Sequence, residues 1–203
     1  MFITFEGGEG CGKSTHSKLL KSYLQKEGHR VILTLEPGAT ELGKRLRKML
    51  LNDKRIVSKS TELFLFAADR SEHVEMVIKP YLKKKYIVIC DRFIDSTTAY
   101  QTGGRHLPGF FVQYMNRMSS QGLMPDLTIL LDVDPKIGLK RATRNTKKDK
   151  FESEKLRFHM DVRKTYMDIA RKDPKRVKVV RSGDDPIVVQ EKIRRIVDEK
   201  LGN

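Results

Sequence analysis

Residues Gly7-Gly8-Glu9-Gly10-Cys11-Gly12-Lys13-Ser14 make a complete G-x-x-x-x-G-K-S run, directly after the apolar stretch Phe2-Ile3-Thr4-Phe5. This spacing builds a nest of backbone N–H groups that wraps a polyphosphate. The glycines let the main chain approach the anion closely. Lys13 is placed to reach the β- and γ-phosphates and the Ser14 hydroxyl to ligate Mg²⁺. From Thr15 on, the spacing predicts a helix whose positive end faces the anion. Cys11 sits inside the loop, where a helix N-terminus can lower a thiol pKa. A small space-filling role is the better reading.

A second set of chemical residues follows the other apolar runs. Glu36-Pro37-Gly38-Ala39-Thr40 comes after 31–35, Asp91-Arg92-Phe93 after 86–90, Asp132-Val133-Asp134-Pro135 after 127–132, and Ser182-Gly183-Asp184-Asp185-Pro186 after 177–181. Asp91 ends its run as a Walker-B-type aspartate does, where it can hold Mg²⁺ or orient an attacking oxygen. Asp132 occupies the same kind of position and is the rival metal ligand. Arg92, a planar fork beside Asp91, suits a bridge between donor and acceptor phosphates. The segment Arg141…Arg144…Lys147-Lys148…Lys150 is dense in positive charge and suits a lid that closes over a polyphosphate and excludes water. Thr146-Lys147-Lys148-Asp149 also fits the guanine-reading [NT]-K-x-D pattern. No hydrophobic strand precedes it and no D-x-x-G accompanies it, so that reading is set aside.

These residues need a scaffold that gathers them. Five short apolar runs, at 2–6, 31–35, 86–90, 127–132 and 177–181, read as buried strands. Helical patterns at 14–27, 40–51, 60–83, 95–103, 109–121, 135–144, 153–172 and 186–200 lie between them, with Pro80 bending or ending the third. Alternation of this kind predicts an α/β fold, a five-stranded parallel sheet flanked by helices with right-handed crossovers. Ligands then sit beyond the carboxyl ends of the strands, where the residues above fall. No repeat or linker divides the 203 residues, so one domain with a small lid at about 141–152 is expected.

Composition narrows the function classes. Lys and Arg total 41 against 26 Asp and Glu, a formal charge of +15. The basic residues lie in dispersed groups such as Lys83-Lys84-Lys85 and Arg194-Arg195, and no nucleic-acid-binding motif is visible, so no nucleic-acid partner is expected. No apolar run is long enough to span a membrane. Two cysteines without metal-ligand spacing fit a reduced, cytoplasmic protein. The alternatives are a P-loop kinase of another nucleotide or, from a different class, a nucleic-acid-stimulated ATPase.

The ordered series of motifs resembles the thymidylate kinase family, P-loop nucleoside-monophosphate kinases that make dTDP from dTMP and ATP. The resemblance rests on Phe5-Glu6 with the loop 7–14, Glu36-Pro37-Gly38, Phe66-Ala67-Ala68-Asp69-Arg70, Asp91-Arg92-Phe93, Ala99-Tyr100-Gln101 with Gly104-Arg105, Pro125-Asp126-Leu127-Thr128, Leu131-Asp132-Val133 and Gly138-Leu139-x-Arg141. It covers essentially the whole chain and implies a P-loop NTPase fold, ATP as phosphoryl donor with Mg²⁺, and a homodimer. It places ATP on the loop through Thr15 and on Arg141. Phe66 would stack on thymine, Arg70 would bond a base carbonyl, and Gln101 with Thr97 would read the base edge. Tyr100 would lie against the sugar and Glu9 would reach its 3′-hydroxyl. Arg92 and Arg47 would hold the acceptor phosphate, with Glu36 beside them. Gly10 stands where a basic loop residue occurs in some members, which shifts that duty to lid cations, Arg144 and Lys150. The chain departs from the family pattern at Leu35 and Ala39, in place of Arg and Gly, at Phe93, in place of Tyr or His, and at Lys150, in place of Arg.

Overall fold

Strand β1, Phe2–Glu6, is buried at every residue, which requires neighbours on both edges and cover on both faces. In the computed structural model, which describes residues 1–52, 58–143, 149–183 and 185–202, it is the centre of a five-stranded parallel sheet of order β2-β3-β1-β4-β5. The other strands are β2 Val31–Leu35, β3 Ile87–Asp91, β4 Leu127–Asp132 and β5 Val177–Arg181. The three inner strands read as near-continuous apolar runs because both their faces are covered, while β2 and β5 at the edges show mixed burial.

The helices are α1 Lys13–Lys26, α2 Glu41–Asn52, α3 Lys59–His73, α4 Lys79–Lys83, α5 Ile94–Thr97, α6 Gly109–Ser119, α7 Pro135–Ala142, α8 Leu156–Lys172 and α9 Pro186–Leu201. Leu20 and Leu24 of α1 pack with Val189, Ile193 and Val197 of α9 against Ile3, Phe5 and Ile129. A second cluster joins Phe158, Val162 and Tyr166 of α8 to Tyr100 and Leu130. None of the described helices is long and apolar enough to cross a membrane.

Two expected helices are interrupted by π-helical turns. The stretch expected as one helix over 60–83 is α3, a π turn at Val74–Ile78, and α4. Pro80 lacks an N–H and its ring crowds the carbonyl four residues back. The chain relaxes by widening one turn, so that the Lys79 N–H reaches back five residues to Val74 O. The stretch expected over 95–103 becomes α5 and a π turn at Thr98–Gly104, closed by the Arg105 N–H on Tyr100 O at 2.8 Å. Asp134 and Asp185 turn out to be helix caps, accepting from the N–H groups of Lys136 and Ile187 at 2.8 and 2.7 Å with Pro135 and Pro186 at the first helical positions.

Candidate active site

A cleft of about 500 Å³ opens over the carboxyl edge of the sheet, the size of a nucleotide-sized ligand site. The loop at 7–14 forms one wall. Lys13, only 7 % exposed, donates from Nζ to the carbonyls of Gly7 and Gly8 at 3.1 and 2.7 Å. Its cation is thus held against the loop by main-chain acceptors and faces the cleft. At the foot of α1 the Ser14 hydroxyl donates to Asp91 Oδ2 at 2.5 Å, which brings together the two expected metal ligands. The rival, Asp132, is taken by Arg163 of α8, whose Nε and Nη2 donate to its two oxygens at 2.6 and 2.8 Å. Cys11 is buried in the main core cluster, the space-filling role.

The loop and the start of the lid meet backbone to backbone. Gly10 has φ +62, and a Cβ built there would lie 2.0 Å from Gly138 O of α7. A Cβ at Gly138 would lie 2.3 Å from Glu9 O. A basic side chain at position 10 is therefore excluded by α7 itself, which gives the glycine there a steric cause. Arg141, at the end of α7, lines the cleft and donates to Ser182 O after β5 at 2.9 Å. The expected lid residues Arg144, Lys147 and Lys148 lie outside the described residues.

Arg92 follows β3 with φ +72, an uncommon conformation for a side-chain-bearing residue that costs on the order of 1–3 kcal/mol and tends to mark functional positions. The conformation turns the guanidinium into the cleft. Nη2 donates to Glu9 Oε1 at 3.0 Å, Nη1 donates to Gly7 O and Ser96 Oγ at 3.2 Å, and the plane lies 5.1 Å from the Tyr100 ring centroid. Burial works against its charge, but Tyr100, Glu9, Tyr166 and Asp91 hold its pKa above the usual arginine value. Glu9 also accepts from the Tyr100 hydroxyl. Burial alone would raise the Glu9 carboxyl; Arg92, Lys13 and that hydroxyl bring it down to about 2. Beneath them, fully buried Glu6 accepts from the Phe93 N–H at 2.8 Å and from the hydroxyls of Ser96 and Tyr166. Burial, with Asp95 nearby, pushes the Glu6 pKa up to about 7.

The far end of the cleft carries the residues expected to read a base. Half-buried Phe66 lies on the cleft wall, with Phe151 at 6.0 Å between ring centroids. Arg70, one turn on, is 2 % exposed. Its Nε donates to Glu36 Oε2, Nη1 to Asn116 Oδ1 and Nη2 to Thr97 Oγ1, at 2.9, 2.9 and 2.8 Å, over the ring of Phe93. Glu36 spends its other oxygen on His73 Nδ1 at 2.9 Å, so both its oxygens hold Arg70 and His73. Arg47 lines the cleft and donates to Pro37 O at 2.7 Å. Gln101 is buried beside Tyr100 and donates to Glu62. Lys150, expected as a lid cation in the cleft, instead sends Nζ to Glu62 Oε2 at 2.6 Å, because a buried carboxylate attracts every available cation.

A family model described as thymidylate kinase matches residues 5–193. The chain is 46% identical over 209 residues to a thymidylate kinase of Maridesulfovibrio salexigens, covering 99% of this chain and 96% of that one. It is 44% identical to one of Gloeobacter violaceus, covering 98% and 94%. The crystal structure of thymidylate kinase from Ehrlichia chaffeensis superposes with a TM-score of 0.81 at 36% identity, covering 98% of each chain. The chain belongs to the thymidylate kinase family. Membership agrees with the P-loop NTPase fold expected from the motif order.

Several residues of this family member were silent in the sequence. Glu62, Asn116 and Tyr166 sit in no motif spacing that marks them, and Glu6 stood in the loop motif with no role assigned. Asn116 is recognisable only as a polar position on the buried side of α6, and Tyr166 only as a member of an apolar stripe on α8.

Two outcomes are expected. Gly138→Ala forces the loop and α7 apart, lowering stability by about 1–3 kcal/mol and raising the KM for ATP, as read by urea unfolding and initial rates; an unchanged KM would separate α7 from the loop. For Glu6, the folded pKa of about 7 exceeds the ordinary glutamate value of 4.5. The folded state therefore binds the proton more tightly, and its stability falls as pH rises from 4.5 through 7, by on the order of 3 kcal/mol. Glu6→Gln should flatten that fall, read as urea midpoints at pH 5 and pH 8.

Proposed function

We propose that this cleft carries out in-line transfer of the ATP γ-phosphoryl group to dTMP, giving dTDP and ADP in dTTP biosynthesis. The observation that carries the reading is the meeting, in one cleft, of a polyphosphate loop and a base-sized pocket, with Arg92 joined to both. Lys13 neutralises the β- and γ-phosphates. Arg92, already oriented by Glu9 and Gly7, holds the acceptor phosphate with Arg47, so that two anions approach without paying for reorganisation. The acceptor oxygen is nucleophilic as it stands, and no covalent intermediate is needed. Ser14 and Asp91, hard oxygen donors side by side, fit Mg²⁺ and would hold it, and the ion would offset charge on the β- and γ-phosphates. Phe66 offers thymine an apolar face, while Arg70, Thr97 and Gln101 meet its edge. Tyr100 and Glu9, bonded to each other, face the sugar. Glu36 acts by holding Arg70. The lid at 141–152 adds cations, with Arg144 and Lys150 as its members; Lys150 must leave Glu62 to serve there.

The enzyme is proposed to work as a homodimer. Phe110, Tyr114 and Met118 form an exposed stripe at four-residue spacing on α6, and exposed Phe64 of α3 meets Phe111 of α6 edge-on. Apolar side chains grouped in this way mark an interaction face.

An ADP-release assay with MgATP against dTMP, dUMP, dCMP, AMP and GMP should give turnover chiefly with dTMP; activity with AMP but not dTMP would overturn the reading. In the same assay Lys13→Ala should lose at least about a hundredfold in kcat. Phe66→Ala should raise the KM for dTMP roughly tenfold without moving that for ATP. For the dimer, sedimentation of Tyr114→Glu should give a monomer where the parent chain gives a dimer.

A further inference from the structure

Glu62 lies on α3 one turn before Phe66 and is 1 % exposed. Its Oε1 accepts from Gln101 Nε2 at 3.1 Å and from Arg105 Nε at 2.9 Å, and its Oε2 accepts from Arg105 Nη2 at 3.2 Å and Lys150 Nζ at 2.6 Å. Burial opposes the charge, but the bonds from Arg105 and Lys150 more than offset it, and the pKa lies below the usual carboxylate value. The group is an anion at neutral pH, and a carboxylate anion offers only acceptors. A glutamine amide is otherwise free to sit either way round. Beside this anion it has one orientation, with its NH₂ toward Glu62 and its carbonyl turned away. Gln101 belongs to the cleft wall, and among the described residues none donates a hydrogen bond to its Oε1. Arg70, on the same wall, carries donors only, and its three bonds to Glu36, Asn116 and Thr97 use three of its five N–H groups.

We propose that Glu62 is a specificity-determining positioning residue: by fixing the Gln101 carbonyl toward the cleft, it makes the wall present an acceptor next to the donors of Arg70. The inference rests on the reading of Gln101 and Arg70 as the base-facing pair. Such a wall matches a base edge with an N–H beside a carbonyl, the N3–H and O4 of thymine or uracil. Cytosine presents the opposite order. Its unprotonated N3 would face the glutamine carbonyl, acceptor against acceptor, and its amino group would face Arg70, donor against donor. Both mismatches leave buried polar groups unpaired, the strongest means a site has of rejecting a near-isostere. Glu62 need not touch the substrate to do this. Its charge removes the flipped amide, which would offer cytosine N3 a donor. Arg105, which bonds both its oxygens, keeps that charge tolerable in a buried position when Lys150 leaves.

The test is the ratio of kcat/KM for dCMP to that for dTMP in the full chain. Glu62→Gln keeps the size and removes the charge. Glu62→Asp keeps a charge for Arg105 and Lys150 but draws it back from Gln101, and serves if the first variant folds poorly. Both should raise the ratio at least tenfold, mainly through a higher KM for dTMP, with the KM for ATP unchanged. Gln101→Leu should also raise it. An unchanged ratio in folded Glu62 variants, or KM values for dTMP, dCMP and ATP rising together, would make Glu62 a structural residue and overturn the proposal. If Gln101→Leu leaves the ratio unmoved, the base-facing reading itself falls, and the proposal with it.

Discussion

A guanidinium cannot be buried without partners, and the cleft is arranged around the one at Arg92. Its backbone is held in an uncommon conformation, and its N–H groups reach the loop at Glu9 and Gly7 and the start of α5 at Ser96. Removing Glu9 would leave that charge without its paired carboxylate in a largely buried position, which costs several kcal/mol. The loop, β3 and α5 are thus bound to a single orientation. An anion entering the cleft finds a cation already aimed, and this preorganisation is the larger part of what a protein can offer phosphoryl transfer.

The same device recurs toward the far end of the cleft. Arg70 is paired with Glu36 and Arg105 with Glu62, each pair joining different elements. Pairs of this kind add little net stability over apolar packing, because desolvation consumes most of the Coulomb gain. What they supply is direction. Arg70 can show only its unused N–H groups to the cleft, and Gln101 only its carbonyl. The hydrogen-bond polarity of the wall is therefore set before any ligand arrives. The formal charge of +15 plays no part in this, since the buried arginines that build the wall are matched by carboxylates and the excess lies on the surface.

At the other end the constraint is steric. Gly10 and Gly138 allow main chain to approach main chain, so the phosphate loop and α7 pack with no side chain between them. Positive charge that a longer loop residue would supply must come from elsewhere, and Arg141 already stands at the end of that helix. Phe151, within the expected lid at 141–152, is buried against Phe66 and Tyr100, which holds that part of the segment against the cleft wall.

The strands, the loop, and the placing of Asp91 and Arg92 were legible in the sequence, because each depends on spacing within one element and its immediate successor; Phe66 and Arg70, inside a helix, were marked only by the family resemblance. The rule that ligands gather beyond strand ends then brought the strand-end residues to one place without further information. Partner choice was not legible. Asp91 and Asp132 look alike in the chain, each ending a buried strand; only the fold brings Arg163 from α8 to close off Asp132 and leaves Asp91 beside Ser14. Lys150 reads as a free lid cation until Glu62 is found next to it. The orientation of Gln101 and the role of Asn116 follow from which helices lie side by side. Local spacing determines where a side chain starts; which charge or acceptor it meets is decided by contacts across scores of residues, where burial makes each unpaired group too costly to leave alone.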